Sequence, residues 1–330
     1  MKKVLITGGN GLLGANLVRM LHSRGYEINI LVRKGADLTA LEGFDMNIVF
    51  GNITDEKDVF KAVKGCSYVI HAASITDQTG ISFEQYEEIN VTATKHIVQA
   101  CLHHQTEKLI YVSTANTMGP GTLAEPGTEL NGFSYFKANS GYINTKYLAQ
   151  QFVLEQVLRN KLPAVVVNPT FMIGPYDSKP SSGRIILYGL NKMILFYPPG
   201  GKNFVHIRDV CEGIINALTI GKAGECYLLA GENLSYKEFF KALNKISSQH
   251  PLMIKIPAFV LKLGARFSSL VNMINHKPRQ LNRSSAYMLC CDNYYTGEKS
   301  QRELQLEYQP VTKAITQAYD WFNEKRMINF

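Results

Sequence analysis

One stretch, Thr7-Gly8-Gly9-Asn10-Gly11-Leu12-Leu13-Gly14, constrains this chain more than any other. It follows the apolar run Lys3–Thr7 and leads into a helical stretch from Ala15 to Arg24 that ends at Gly25. Glycines at 8, 11 and 14 are what such a strand–turn–helix needs. The first permits the turn, the second lets the backbone approach a pyrophosphate, and the third lets helix and strand pack closely, with the phosphates at the helix N-terminus. Gly8, Asn10, Gly11, Leu12, Leu13 and Gly14 are therefore the candidate contacts to a dinucleotide.

Short β-rich runs continue at Glu27–Arg33, Met46–Phe50, Tyr68–Ala72, Lys108–Ser113 and Ala164–Asn168. The segments between most of them are long enough for a crossover helix. Near-continuous apolar strands so spaced imply a parallel sheet covered on both faces, an α/β doubly wound (Rossmann) fold. After about residue 175 the rhythm breaks at Asp177–Gly183 and at Tyr197-Pro198-Pro199-Gly200-Gly201. Residues 1–175 are thus read as the dinucleotide-binding domain and 176–330 as a smaller, mixed substrate lobe, with elements from about 204–230 returning to the main sheet. Within that lobe, Ile254 to Ile274 is apolar at helical spacing: a core-facing helix, a lid over the substrate or a surface-seeking helix. Gln317–Phe322, with Trp321, reads as a helix docked on the lobe.

The 330 residues carry a formal charge of +8 and a pI near 9.0. Lys and Arg are scattered, and no basic helix or zinc spacing accompanies them, so nucleic acid is not an expected partner. The six cysteines make no C-x-x-C pair, and with no His or carboxylate cluster beside them they read as reduced core thiols with no metal. Met1-Lys2-Lys3 runs straight into Val4-Leu5-Ile6, without the h-region of a signal peptide, and no run reaches the roughly 20 residues of a membrane span. A cytoplasmic location is expected.

Which dinucleotide binds depends on the end of the second strand, where an acid would accept from a ribose 2′-hydroxyl and repel a 2′-phosphate. Here Arg33 and Lys34 stand instead. A guanidinium can fork onto a phosphate, so NADP(H) is preferred, with NAD(H) as the alternative.

Tyr142 and Lys146, four apart on a helical stretch reaching Val157, share one face, with Cβ atoms about 5–6 Å apart. A tyrosine with a pKa near 10 becomes useful as a proton donor and acceptor at neutral pH if a neighbouring cation favours its phenolate. Lys146 is expected to be that cation. The fifth strand runs out into Ser113-Thr114 at the edge where an α/β sheet places its ligand crevice. A hydroxyl there can donate to a substrate oxygen; Thr114 is the candidate and Ser113 the fallback.

With these residues in view, the chain resembles an extended short-chain dehydrogenase/reductase, of the NAD-dependent epimerase/dehydratase superfamily. Further carriers are Gly51-Asn52-Ile53-Thr54-Asp55, His71-Ala72-Ala73, Asn90-Val91-Thr92, Asn168-Pro169-Thr170, Gly174-Pro175 and Phe204 to Val210. The resemblance implies that Asn52 and Ile53 hold the adenine, Ala72 and Ala73 line the pyrophosphate and Pro169 lies beside the nicotinamide. It also implies a homodimer through the helix of Tyr142 and the neighbouring Thr92–Leu102. Two residues depart from the family pattern: Asn52 stands for a usual aspartate and Ala93 for a usual glycine.

Within the family, sugar 4,6-dehydratases carry Asp-Glu after the threonine, where this chain has Ala115-Asn116. Nucleotide-sugar enzymes carry Arg-x-x-Asn before the Gly-Pro, where this chain has Asn168-Pro169-Thr170-Phe171. Both differences, with Arg33, point to the branch resembling dihydroflavonol 4-reductase and 3β-hydroxysteroid dehydrogenase. The expected activity is NADP(H)-dependent interconversion of a secondary alcohol and a ketone on a hydrophobic small molecule. The alternatives are a nucleotide-sugar epimerase with tightly bound NAD and a non-catalytic NADP-sensing regulator.

Overall fold

The computed structural model describes residues 2–77, 80–135, 140–265 and 283–328. Strands β1 (Lys3–Thr7), β2 (Glu27–Val32), β3 (Asn47–Phe50), β4 (Tyr68–His71), β5 (Lys108–Val112) and β6 (Ala164–Pro169) come first. They are followed by β7 (Phe171–Ile173), β8 (Ile194–Tyr197), β9 (Gly201–His206), β10 (Cys226–Leu229), β11 (Glu232–Ser235) and β12 (Leu252–Lys255). The helices that matter for the site are α1 (Leu12–Ser23), α2 (Glu56–Val63), α3 (Phe83–Tyr86), α4 (Ala93–His103), α5 (Gly141–Asn160), α6 (Arg184–Gly189), α7 (Ile207–Ile220) and α8 (Tyr236–Ile246).

Seven strands form one sheet in the order β10-β6-β5-β4-β1-β2-β3, with every pairing parallel. The period of two in each strand sends alternate side chains to opposite faces. Val4, Ile6, Ile70, Ile110, Val165 and Val167 join Leu13, Leu17 and Val18 of α1 and Val210, Ile214 and Leu218 of α7 on one face. Leu5, Val69, Leu109, Tyr111 and Val166 pack on the other face with Val59 of α2, Ile97 and Cys101 of α4, and Ala149 and Val153 of α5. This double burial is why the strands read as apolar runs rather than alternating ones.

The strand order reverses between β1 and β4, and a doubly wound sheet opens its ligand crevice at such a switch point, outside the carboxyl ends of the strands. Gly8 and Ala72-Ala73, the residues that follow these two strands, lie against each other there.

Of the elements near 204–230, β10 pairs with β6 in the main sheet, and α7 packs beneath it. β9 does not. It pairs with β11, β7 and the short strand Asp292–Asn293 in a second sheet. This lobe has its own core, where Phe204 stacks on Phe239 at 4.5 Å and the helix Val311–Glu324 contributes Trp321 and Phe322. The apolar run 254–274 divides. Residues 252–255 are strand β12 and 258–265 are helical, with Leu261 and Ala265 buried and Phe259, Val260 and Leu263 exposed; residues 266–274 lie outside those described.

Candidate active site

Helix α1 begins at Leu12, three residues earlier than its apolar spacing suggests, with Gly11 as its N-cap. No side chain caps it and its first turn holds no acid, so its leading N–H groups are free to receive an anion. The three glycines meet different demands. Gly8 has φ +73°, and a Cβ there would lie 2.8 Å from the Ala73 nitrogen; a Cβ on Gly14 would lie 2.2 Å from the Gly8 carbonyl oxygen. A Cβ on Gly11 would meet only that same oxygen, at an ordinary 3.6 Å. Nothing in the protein requires glycine at 11, and the space kept there suits a pyrophosphate.

Gly11→Ala is therefore expected to melt with the wild type, within about 0.5 kcal/mol, yet bind dinucleotide more weakly. Gly14→Ala is expected to lose about 1–3 kcal/mol by overpacking. Thermal melts and cofactor titrations of the two variants separate these outcomes.

A buried proton chain fixes the floor of the crevice. Thr94 Oγ1 donates to the Asn90 carbonyl at 2.7 Å, so it must accept from His71 Nε2 at 3.0 Å, which leaves His71 Nδ1 to accept from Thr7 Oγ1 at 2.8 Å. Burial, with Lys146 nearby, lowers the His71 pKa to about 3, and the ring stays neutral as this pattern requires. Thr7 Oγ1 in turn accepts from the Ala73 nitrogen at 3.3 Å, holding Ala72-Ala73 against Gly8.

Arg33 and Lys34 sit just past the end of β2, exposed and without an ion pair among the described residues. Asn52 follows β3; its Oδ1 accepts from the Thr54 nitrogen at 3.2 Å and its own nitrogen donates to Asp58 at 2.8 Å. In that turn Asn52 is exposed and Ile53 half-buried. Pro169 ends β6, fully buried.

Tyr142 stands in the first turn of α5, which Ser140 caps by accepting from the Ile143 nitrogen at 3.4 Å. Tyr86 packs beneath this turn so closely that a Cβ on Gly141 would lie 2.5 Å from its ring. The Thr114 side chain lies near enough to the Tyr142 hydroxyl to lower its pKa, which sets the strand-end threonine beside the helix tyrosine. Ser113 is instead buried, with its hydroxyl unpartnered. Thr114, not Ser113, is the hydroxyl that meets Tyr142.

Lys146 behaves differently from the expectation. Its Nζ donates to the Val112 carbonyl at 2.7 Å and lies 4.4 Å from the centre of the Tyr111 ring. Burial raises the Tyr142 pKa, and the nearby Thr114 side chain opposes the rise. Sharing a helix face brings the two residues near each other, but the carbonyl at the end of β5 holds the ammonium. Burial also lowers the Lys146 pKa to about 7.

The sign of that shift gives a test. Between pH 7 and 10.5 the unfolded lysine binds more protons than the folded one, so stability rises with pH across that window. The melting temperature of the wild type relative to Lys146→Met is expected to climb from pH 7 to pH 9.5; a flat difference would contradict the buried ammonium.

Two positions that the sequence marks only as part of the family resemblance support the site. Asn168, fully buried, points its Nδ2 at the Thr114 carbonyl (3.1 Å), Thr117 Oγ1 (3.0 Å) and Gln150 Oε1 (2.8 Å), tying β6, the loop after β5 and α5 together behind Thr114. Asn90 accepts from Ser74 and the Ile75 nitrogen and donates to Thr145 at 3.0 Å, linking the loop after β4 to α5. In the substrate lobe, Lys202 of β9 stands 5.1 Å from the centre of the Phe171 ring, and desolvation lowers its pKa to about 8.

Comparison with known proteins agrees with this geometry. Residues 4–230 match the model of the NAD dependent epimerase/dehydratase family. The chain is 27% identical to sterol demethylase protein B of Methylococcus capsulatus, over 98% of this chain and 99% of that one. It is 28% identical to a putative dihydroflavonol 4-reductase of Synechocystis, over 96% and 93%, and 27% identical to a Dictyostelium discoideum sterol-4-alpha-carboxylate 3-dehydrogenase (decarboxylating), over 73% and 75%. Among solved structures, gox2253 superposes with a TM-score of 0.87 at 28% identity over the whole of both chains. The dTDP-glucose 4,6-dehydratase DesIV of Streptomyces venezuelae, solved with NAD and TYD bound, shares the fold at TM-score 0.80 and 20% identity over 98% of each chain. The chain is an NAD(P)-dependent enzyme of the NAD-dependent epimerase/dehydratase family, one of the extended short-chain dehydrogenases/reductases.

Proposed function

We propose that this enzyme interconverts a secondary alcohol and a ketone on a hydrophobic small molecule, with NADP(H) as the preferred cofactor. The observation that carries the reading is the placing of Thr114, at the end of β5, beside Tyr142 of α5, with Ala115 and Asn116 where a sugar dehydratase would need two carboxylates. When bound, a nicotinamide dinucleotide supplies or takes up the hydride at the carbinol carbon. Tyr142 gives the substrate oxygen its proton in reduction and removes it in oxidation, and Thr114 orients that oxygen. Lys146 would hold the nicotinamide ribose beside them.

The relatives named for sterol and dihydroflavonol chemistry support an apolar polycyclic substrate, as does Phe171 two residues beyond Pro169. A homodimer through α4 and α5 is part of the same proposal, Leu148 and Leu158 of α5 being exposed, and so is a cytoplasmic location.

A panel of steroid, flavonoid and simple aromatic ketones with NADPH, followed at 340 nm, tests the reading. Turnover of apolar ketones is the expected result. No turnover, together with retained NAD and conversion of a UDP- or dTDP-sugar, would establish an epimerase instead.

A further inference from the structure

Away from the crevice, the substrate lobe carries an apolar face of unusual make-up. Strands β8 and β12 form a two-stranded parallel sheet in which Leu252 pairs with Ile194 and Ile254 with Phe196. Alternation turns Leu195 and Tyr197 into the lobe's core, with Met253 packed against it, and sends Ile194, Phe196, Leu252 and Ile254 outward. Two adjacent cross-strand pairs thus make one continuous apolar surface. Met193, just ahead of β8, is 91% exposed. Just beyond β12, the helical residues 258–265 turn Phe259, Val260 and Leu263 to solvent.

The segments that build this face carry charges of one sign. Residues 178–208 and 239–265 contain no Asp or Glu, whereas Lys192, Lys255 and Lys262 are exposed within them. A groove lined by Lys241, Lys245, Gln249 and His250 borders the start of β12. No helix among the described residues is long and apolar enough to cross a membrane. An exposed apolar surface ringed by cations lies in the plane of an anionic interface, its apolar side chains among the acyl chains and its lysines at the headgroups.

We propose that this face docks the enzyme on a lipid surface bearing anionic headgroups. A second copy of the chain fits less well, because a two-fold pairing of the face would bring the Lys192, Lys255 and Lys262 sets of both copies into one interface, and the segments that build it supply no acid. The proposal stands whatever the ketone is, and its test does not involve turnover.

The test is sedimentation of the full chain with phosphatidylcholine vesicles, with and without 30% phosphatidylserine, at low and high salt. Pelleting with the serine-containing vesicles, weakened by salt, is the expected result. Leu252→Asp with Phe259→Asp, at positions 63% and 69% exposed, should cut vesicle binding at least roughly tenfold while leaving the melt and NADPH affinity unchanged. Met193→Glu is a milder second variant, in case the double one folds poorly. Wild type remaining in the supernatant with both vesicle types would overturn the proposal, as would variants that pellet as well as wild type. Loss of a wild-type dimer in the double variant, without vesicle binding by either, would reassign the face to contact between copies.

Discussion

Tyr142→Phe is expected to lose about 10²–10⁴-fold in ketone turnover while binding NADPH almost as wild type does. The substitution removes one oxygen. The ring stays on the α5 turn that Ser140 caps and Tyr86 supports, so the helix start and the cofactor crevice keep their shape. What disappears is the proton source beside Thr114. Thr114→Ala should lose less, because Tyr142 can still protonate the oxygen that the threonine only orients. Steady-state rates on the best ketone of the panel, beside a fluorescence titration of NADPH, check both variants. Near-wild-type turnover in Tyr142→Phe would remove the tyrosine from the chemistry.

The parts of this molecule legible in the sequence are those set by local rules. Near-continuous apolar strand runs, a helix opened by Gly11 and the steric demands at Gly8 and Gly14 each depend on a few consecutive residues, and Tyr142 and Lys146 follow from helical spacing. The parts not legible depend on partners distant in sequence. Asn168 finds Thr114, Thr117 and Gln150 at separations of 54, 51 and 18 residues, and nothing near Asn168 announces that convergence. The direction of the Lys146 ammonium is of the same kind: spacing puts it beside Tyr142, but the Val112 carbonyl, 34 residues away in the chain, takes the hydrogen bond. The sequence reads the elements near 204–230 alike, as returning to the main sheet. Only the pairing of β10 with β6, and of β9 with β7 and β11, separates the main sheet from the lobe.

Replacing both Arg33 and Lys34 by alanine is expected to weaken NADPH binding roughly 10- to 150-fold. That range follows from about 1.5–3 kcal/mol for a charge-assisted contact to phosphate, at 1.4 kcal/mol per tenfold. Both side chains are exposed and carry no ion pair among the described residues, so their loss should leave the melting temperature almost unchanged and fall on the ligand. NADH has no 2′-phosphate, and its affinity should change only by whatever stacking on adenine the guanidinium provides. The two reduced cofactors should therefore converge toward equal affinity in the double variant. Titrating each by energy transfer from protein to nicotinamide measures the four constants needed. Equal fold-losses for NADPH and NADH would mean that Arg33 does not read the phosphate. A wild-type preference for NADH would reach further, because a chain that holds NAD across turnovers fits the epimerase alternative better than a reductase supplied by NADPH.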